Sequence, residues 1–374
     1  MKTRQPLHVG VLTADLSVSH GWARYCLGMV NALRKAGVHL TIVAARNSPA
    51  IRGLDIHPLL PSLNPLDRGI LPRQLAALPR VRALFRDCDV IHSMVEPYAP
   101  LAVRIPGGRP TFVTAHGSYI RANHMRRPPA SWVYASAFQS ANLICVSRYT
   151  EKVAQENFSP IRTWVIRNGV DAERFREVHH VGGAVPTVLF VGAIKARKGI
   201  LELVQAAALV RAQIPNVCFR IVGALEAEPE YAETVRRAAA ELHLDGVVEF
   251  AGRISDEALL DAYAHADVFA LPSLNVDWKF EGFGLALLEA SAAGLPVIGS
   301  RECGAEDAVV EGVTGLLVSQ RNLARDLADA ILRLLNDRTL AERMGAAGRQ
   351  HAASETWDQA AAALIDVYQE ARRR

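Results

Sequence analysis

A run of apolar strand, glycine loop, helix and second strand occurs twice in this chain of 374 residues, and it restricts the fold more than any other feature. The first copy is the strand LHVGVL, a loop with Gly21, a helical stretch from Ala23 to Arg34 and the strand VHLTIVAA. The second is TVLFVGAI, a basic loop with Gly199, a helix from Ile200 to Ala212 and VCFRIVG. Continuous Val, Ile and Leu strands that alternate with helices are typical of parallel sheets buried on both faces.

Further strand patterns in both halves predict an α/β fold of two doubly wound, Rossmann-like domains that face each other across a cleft. Ligands of such sheets bind outside the carboxyl ends of the strands, so we expect them in the cleft. We predict an N-terminal domain over residues 1–175 and a C-terminal domain over 176–353. The hinge is expected in the polar stretch 171–186. A final helix over 354–374, with Ser354 as N-cap, should pack back toward the N-terminal domain.

Composition excludes several classes of protein. Half of the residues are hydrophobic and there is no low-complexity tract, so disorder is not expected. No window reaches the roughly 18 continuous apolar residues of a membrane span, and MKTRQPLHVGVLTAD reads as a first strand without a cleavage site. The five cysteines never occur in C-x-x-C spacing, which fits buried thiols in a reducing cytoplasm.

The net charge of +4 hides an uneven distribution. Residues 1–180 carry 23 Lys and Arg against 11 Asp and Glu, whereas residues 181–374 carry 19 against 27. A basic half can attract nucleic acid, an anionic membrane or a phosphorylated acceptor, and an uneven solvated surface is the alternative. Nucleic acid is disfavoured because the basic half lacks interleaved aromatic residues and any helix-turn-helix or RNA-binding signature.

The stretch KFEGFGLALLEASAAGLPVIGS, residues 279–300, follows the strand pattern DVFALPS. Helical spacing predicts that a helix begins near Gly284, with Glu281 in the preceding loop and Glu289 more than one turn inside. The two glutamates are therefore not one acid–base pair. Helix N-termini favour anions, and those expected here are the amides of Phe283, Gly284 and Leu285. A nicotinamide fingerprint fails on its context, but a glycine turn that only packs a helix on the sheet stays open.

Three other positions suit ligand binding. The loop KARKG places Lys195, Arg197 and Lys198 between a strand and a helix, which suits a diphosphate, although a solvated basic loop is the alternative. His116 follows the buried strand TFVTA and should point into the cleft, although a lone histidine is more often an ordinary hydrogen-bonding residue. Gly21 opens the first helix and would let the backbone approach a phosphate.

Together these stretches resemble the glycosyltransferases of family 4, which are retaining enzymes of the GT-B fold. VIRNGVDAERF is similar to the segment that joins their domains, RKG to their phosphate loop, and VVEFAGRISDEALLDAYAHADVFALPS to their base-binding region. EGFGLALLEASAAGLPVIGS resembles their E-x7-E motif, and the resemblance is most specific over residues 164–318. Two positions depart from the family pattern. Ala193 replaces a common arginine, and Asp307 replaces a common glutamate, with Glu306 beside it.

The resemblance implies transfer of a sugar from a UDP- or GDP-linked donor to a hydroxyl acceptor, lipid-linked or phosphorylated, in glycan, polysaccharide or glycolipid biosynthesis. It implies reaction on the front face of the sugar, without a metal or other cofactor. It makes the N-terminal domain, 1–175, the acceptor-binding domain and the C-terminal domain, 176–353, the nucleotide-sugar-binding domain. It assigns catalysis to His116, Glu281, Arg197 and Lys198. It assigns donor binding to Gly21 near the phosphates, Arg197 and Lys198 on the diphosphate, Arg253 beside the base, Phe283, Gly284 and Leu285 on the sugar, and Glu289 on the ribose.

Two rival functions remain within this fold: a catalytically silent nucleotide-sugar-binding protein, and an epimerase or phosphorylase, which the pairing of E-x7-E with RKG disfavours. Residues 68–88 mix arginines with apolar side chains, and a further basic cluster consists of Arg121, Arg126 and Arg127. These features suggest an acceptor that the enzyme reaches from an anionic membrane surface. We therefore expect a cytoplasmic protein, peripheral at the inner face of the plasma membrane. An ordinary solvated helix is the alternative for residues 68–88.

Overall fold

The computed structural model describes residues 6–18, 20–63, 69–105, 107–121, 127–159, 162–181 and 183–373. It divides into two compact units, one of Met1–Gly169 with Trp357–Arg374 and one of Val170–Thr356. The boundaries thus lie after Gly169 and Thr356, whereas the sequence suggested boundaries after residues 175 and 353.

The first unit is built on one parallel sheet. Its strands within the described residues are β1 (His8–Thr13), β2 (His39–Ala45), β3 (Ile56–Leu60), β4 (Val90–Ser93), β5 (Thr111–Ala115), β6 (Asn142–Cys145) and β7 (Arg162–Val165). Their order is β3-β2-β1-β4-β5-β6-β7, and all pairs are parallel. Both faces of β1 are buried, because Val11 and Leu12 point to opposite faces and each is 0% exposed.

Helices connect these strands and supply the right-handed crossovers that parallel pairing requires. In the described part of the first unit they are α1 (Gly21–Lys35), α2 (Ile70–Ala76), α3 (Leu78–Leu84), α4 (Ala99–Ala102), α5 (Ala130–Gln139) and α6 (Arg148–Asn157). The amphipathic pattern of α1 is typical: Met29, Val30 and Leu33 are buried, while Arg34 and Lys35 lie in its last turn, where cations complement the helix dipole.

The second unit repeats the arrangement with β8 (Thr187–Val191), β9 (Cys218–Val222), β10 (Val248–Gly252), β11 (Val268–Leu271), β12 (Val297–Ser300) and β13 (Gly315–Val318). These described strands form a parallel sheet in the order β10-β9-β8-β11-β12-β13. Its helices are α7 (Ile200–Arg211), α8 (Pro229–Glu241), α9 (Asp256–Ala264), α10 (Leu285–Ala292), α11 (Leu323–Asn336) and α12 (Arg338–Ser354). Two Rossmann-like sheets were predicted, and the structure confirms them.

The stretch 171–186, which the sequence predicted as a hinge, packs into the second unit over its described residues. Phe175 is buried and its ring centroid lies 5.6 Å from that of Tyr263. The guanidinium of Arg349 donates to the carbonyl of Val178 at 2.6 Å. The stretch is mostly polar in sequence, so the few apolar side chains that anchor it, such as Phe175, did not stand out.

The prediction that Ser354 caps the final helix is wrong. Ser354 ends α12, and its hydroxyl donates to the carbonyl of His351 at 2.7 Å. The next two residues belong to neither helix: Val170 donates its N–H to the carbonyl of Glu355 at 2.8 Å and pairs with Thr356. A new helix, α13 (Trp357–Arg372), starts only after this pairing.

Helix α13 belongs to the first unit and packs on α1 at very short range. A Cβ atom added to Gly28 would lie 2.5 Å from the ring of Trp357, so only glycine allows this approach. The hydroxyl of Tyr368, near the end of α13, reaches His92 on β4 at 2.5 Å. None of the helices in the described residues is both long enough and apolar enough to cross a bilayer.

We predict that Gly28→Ala destabilises the first unit by about 1–3 kcal/mol, because the added methyl group forces Trp357 or its helix to move. Gly21→Ala in the same helix is the matched control, since a Cβ atom there meets nothing within 4 Å. Thermal unfolding followed by circular dichroism measures both. Equal unfolding midpoints would contradict the close packing of α13 on α1.

Candidate functional site

Two loops of the second unit meet at the carboxyl ends of two central strands of its sheet. The RKG loop follows β8 and the loop with Glu281 follows β11, and these strands are neighbours. Gly199 has a positive φ of 66°, and a Cβ atom there would lie 1.9 Å from the carbonyl oxygen of Pro272. Leu274 donates its N–H to the carbonyl of Arg197 at 2.8 Å. Glycine therefore lets the two loops touch, as the sequence predicted from their common edge.

The carboxylate of Glu281 lies at the centre of this contact. Its Oε2 atom accepts from Arg197 Nη1 at 2.8 Å, from Lys198 Nζ at 2.5 Å and from the Ser273 hydroxyl at 3.2 Å. Glu281 is only 7% exposed. Burial alone would raise the pKa of Glu281, but Lys198 and Arg197 outweigh it and lower the pKa to about 2. Glu281 is therefore a carboxylate throughout the physiological range.

Arg197 and Lys198 are both largely withdrawn from solvent, with side chains 24% and 14% exposed. Burial lowers the pKa of Lys198, and the carboxylate of Glu281 opposes that shift. The cluster concentrates positive charge, balanced by one buried carboxylate, at the carboxyl end of a parallel sheet.

Helix α10 starts directly beside this cluster. Gly284 precedes it in the left-handed conformation, with φ of 85°, and Phe283 is buried. The N–H of Gly304 donates to the carbonyl of Glu281 at 2.8 Å and fixes the loop. Glu281 thus lies in the loop and Glu289 lies inside α10, 6% exposed, as predicted. The amides of Phe283 to Leu285 stand at the positive end of the helix dipole.

A second carboxylate, which the sequence did not indicate, connects the same loops. Glu228 precedes α8, and its Oε2 atom accepts the N–H of Ala196 in the RKG loop at 3.0 Å. Its Oε1 atom accepts from Lys279 Nζ at 3.1 Å. Only the position of Glu228 after β9, a neighbour of β8, could have suggested this role.

Other predicted residues of the second unit lie outside the Glu281 cluster. Arg253 follows β10 and its guanidinium pairs with Glu226 at 2.7 Å on an exposed surface. Of the two acidic candidates near β12, Asp307 is buried, whereas Glu306 is exposed and accepts the N–H of Glu302 at 3.0 Å. Among the described residues, no group of three His, Cys, Asp or Glu side chains is arranged to hold a metal ion.

In the first unit, His116 directly follows β5 and its protonation state is fixed by the contacts around it. Its Nε2 atom donates to the carbonyl of Met94 at 2.8 Å, so the neutral ring carries its lone pair on Nδ1. Burial lowers the pKa of His116 to about 4, so the ring is neutral above that pH. It can therefore accept a hydrogen bond from a hydroxyl group through Nδ1.

Glu96 holds the backbone at His116 and is a residue that the sequence analysis missed. Its Oε1 atom accepts the N–H of His116 at 2.6 Å and that of Gly117 at 3.2 Å. Glu96 is 1% exposed, and burial raises its pKa to about 8. An acidic residue inside the apolar run VIHSMVEPYAPLAV was the available signal.

A buried chain of polar groups reaches His116 from the final helix. Tyr368 contacts His92, whose Nε2 atom lies 2.9 Å from the Thr114 hydroxyl, and Thr114 lies 3.2 Å from the hydroxyl of Tyr25. The ring of Tyr25 then meets the edge of His116 with centroids 4.5 Å apart. This chain explains why α13 is part of the first unit.

Gly21 is the first residue of α1, as predicted. His20 caps the helix, with Nδ1 accepting the N–H of Ala23 at 3.2 Å. Since a Cβ atom at Gly21 would meet nothing within 4 Å, packing inside the unit does not require glycine there.

Over its described residues the 68–88 stretch forms the two short helices α2 and α3, with Pro72 inside the first and Pro79 in the first turn of the second. Its apolar side chains Ile70, Val81 and Phe85 are buried in the unit, and its leucines are half-buried: Leu71, Leu75, Leu78 and Leu84. The exposed face is therefore basic rather than apolar, with Arg73, Arg80, Arg82 and Arg86. Arg68 and Arg126 lie outside the described residues.

Comparison with known proteins identifies the family. The model described as "Glycosyltransferase Family 4" matches residues 19–174, and "Glycosyl transferases group 1" matches residues 171–351. A GDP-mannose-dependent alpha-(1-6)-phosphatidylinositol monomannoside mannosyltransferase of Mycobacterium tuberculosis is 32% identical over 306 residues, 77% of this chain and 78% of that protein. A D-inositol 3-phosphate glycosyltransferase of Streptomyces bingchenggensis is 34% identical over 237 residues, 60% of this chain and 51% of that protein.

Solved structures show the same fold at lower sequence identity. A sucrose-phosphate synthase from Thermosynechococcus elongatus has a TM-score of 0.81 at 24% identity and covers 97% of this chain and 98% of its own. HepE from Anabaena, solved with UDP-glucose, has a TM-score of 0.76 at 18% identity over 96% and 99% of the two chains. The chain belongs to glycosyltransferase family 4, and its two Rossmann-like domains are those of the GT-B fold.

Proposed function

We propose that this glycosyltransferase moves a sugar, with retention of configuration, from a nucleotide-diphosphate donor to a hydroxyl group of a glycolipid acceptor. The observation that carries the proposal is the buried cluster of Arg197 and Lys198 on Glu281, beside the N-terminus of α10. Breaking a bond between a sugar and a diphosphate builds negative charge on the departing phosphate. Two cations and a helix N-terminus are suited to stabilise that charge.

The properties of Glu281 favour a mechanism without a carboxylate nucleophile. Its Oε2 atom is already occupied by two cations, and a carboxylate with a pKa near 2 is a weak base. We propose that the departing phosphate takes the acceptor's proton while the acceptor attacks the same face of the sugar. Retention then needs no covalent enzyme intermediate. Glu281 and the amides of Phe283 to Leu285 would bind hydroxyl groups of the donor sugar.

The remaining donor contacts are proposed from their places in the fold. Glu289, buried one turn inside α10, would accept from the ribose hydroxyls, and Arg253 would lie beside the base. Gly21 would let the backbone approach the diphosphate. His116, neutral and with Nδ1 unprotonated, would accept a hydrogen bond from a sugar hydroxyl near the reacting carbon.

We propose that the reaction needs neither a divalent metal nor another cofactor. In metal-dependent sugar transfer the ion neutralises the leaving diphosphate. Here Arg197 and Lys198 supply positive charge at the carboxyl end of the sheet, where we place the diphosphate. Ala193 adds no charge at a position where the family commonly has an arginine.

Relatives narrow the proposed donor and acceptor. The M. tuberculosis relative is named for GDP-mannose and a phosphatidylinositol mannoside, and the S. bingchenggensis relative for inositol 3-phosphate. Both acceptors contain phosphorylated inositol. We therefore propose GDP-mannose as the first donor to test and an acceptor with a phosphorylated inositol head group, which suits the basic first half of the chain.

Incubation with GDP-mannose and a phosphatidylinositol mannoside, in buffer containing EDTA, should release GDP and form an α-linked product. Mass spectrometry and NMR of the product measure transfer and anomeric configuration, and UDP-glucose and ADP-glucose serve as comparison donors. A β-linked product would contradict retention, and activity that requires added Mg²⁺ would contradict metal independence. Donor binding without nucleotide release across all donors and acceptors would instead identify a silent binding protein.

We predict that Glu281→Ala abolishes transfer, whereas Glu289→Ala mainly raises the KM for the donor. Removing Glu281 leaves two half-buried cations without their carboxylate, which costs up to about 3–5 kcal/mol. Glu281→Gln and circular dichroism of each variant therefore separate lost chemistry from lost folding. Steady-state kinetics with wild-type values in both alanine variants would overturn these assignments.

We also propose that the protein works in the cytoplasm, peripheral at the inner face of the plasma membrane. The cysteines of the chain are free thiols, and the exposed face of α2 and α3 is basic. Because the large apolar side chains of this stretch are buried or half-buried while its described arginines are exposed, attraction to a membrane would be electrostatic.

The protein should co-sediment with vesicles containing anionic phospholipid at low salt and dissociate at high salt, since charge attraction is screened. Neutral phosphatidylcholine vesicles are the control. Absence of binding to anionic vesicles at low salt would refute membrane association.

A further inference from the structure

The two loops of the donor site carry more positive charge than their carboxylates balance. Four cations and two carboxylates meet there: Lys195, Arg197, Lys198 and Lys279 with Glu228 and Glu281. Asp277, on the same loop as Lys279, is exposed and leaves an excess of one positive charge. Glu281 pairs with Arg197 and Lys198, and Glu228 pairs with Lys279. Ionised, this cluster has an excess of positive charge suited to an anion with more than one charged group.

Lys279 lies on the same short loop as Glu281. The loop turns tightly there, because Val276 and Lys279 exchange both backbone hydrogen bonds, at 3.0 and 2.9 Å. The Lys279 side chain is 36% exposed, so it is accessible to a ligand, and Glu228 Oε1 is its carboxylate partner at 3.1 Å. A lysine two residues before the central carboxylate is well placed to reach the same anion.

Glu228 keeps a second contact that does not depend on Lys279. Its Oε2 atom accepts the N–H of Ala196 in the RKG loop at 3.0 Å. The lysine can therefore leave Oε1 while Oε2 still holds the loop. The mutual repulsion of the cations is visible at Lys195, whose pKa is lowered by burial first and by Arg197 and Lys279 as well.

We propose that Lys279 is a third diphosphate-binding cation, which Glu228 holds at the edge of the site until the nucleotide arrives. The proposal rests on the proposed function, because it takes the ligand to be the nucleotide diphosphate. On binding, Lys279 exchanges the carboxylate of Glu228 for a phosphate oxygen. The negative charge of Glu228 then repels the diphosphate and lowers the affinity of the protein for free nucleotide.

A purely structural role for the pair predicts a different pattern. If Glu228 and Lys279 only tie the loops together, removing either partner breaks the same contact, and both changes weaken nucleotide binding. If Lys279 binds the diphosphate, removing its charge weakens binding, whereas removing the charge of Glu228 strengthens it. The sign of the two effects therefore separates the roles.

The test is isothermal titration of the full-length protein with GDP and with UDP. Lys279→Met should weaken binding about tenfold, in line with the loss of one charged hydrogen bond, and Lys279→Arg should restore most of it. Glu228→Gln keeps an oxygen for the N–H of Ala196 and should tighten binding about threefold. Lys152→Met and Glu156→Gln remove the partners of an exposed Lys–Glu pair in the first unit and are the matched controls.

Opposite signs for Lys279→Met and Glu228→Gln, with unchanged controls, would support the proposal. Weaker binding in both variants, or unchanged binding in Lys279→Met, would overturn it and leave the proposed function intact. If the wild-type protein binds neither GDP nor UDP, the proposed function fails and this inference fails with it. Circular dichroism of each variant confirms that binding is compared between folded proteins.

Discussion

The buried contact of Glu281 with Arg197 and Lys198 is the interaction on which the donor site depends. A carboxylate that is 7% exposed would be unfavourable alone, and so would two adjacent half-buried cations. Together they neutralise part of each other's charge and fix the RKG loop against the loop that follows β11. Gly199 makes the contact possible, because any side chain there would collide with the backbone of Pro272.

In the proposed mechanism the same contact persists during the reaction. Arg197 and Lys198 stay on Glu281 and bind phosphate oxygens as well, so the site is organised before the donor arrives and needs little rearrangement. Glu228 and Lys279 extend this arrangement, because they connect the same two loops through separate carboxylate oxygens. In this proposal Glu228 opposes binding of free nucleotide, while Glu281 binds sugar hydroxyls.

The candidate residue of the first unit, His116, is uncharged, in contrast to the charged cluster of the second unit. His116 is held neutral by burial, and Met94, Glu96 and Tyr25 fix its backbone and ring. The final helix contributes to this region through Tyr368 and His92. A neutral imidazole of fixed tautomer accepts a hydrogen bond from a hydroxyl group without repelling a positively charged reacting carbon.

The sequence by itself determined the two parallel sheets and the places of Glu281 and Glu289, because strand runs, glycines and helical spacing are local signals. It also placed Arg197 and Lys198 near Glu281, since their loops follow neighbouring parallel strands, whose carboxyl ends lie side by side. Only the tertiary structure decided that Glu228 pairs with Lys279, that Glu96 holds His116 and that Phe175 anchors the supposed hinge. These contacts join residues from different strands and loops, and no local pattern encodes which distant partner a buried charge or ring will meet. The start of the last helix at Trp357 was decided in the same way, by the pairing of Val170 with residues 355 and 356.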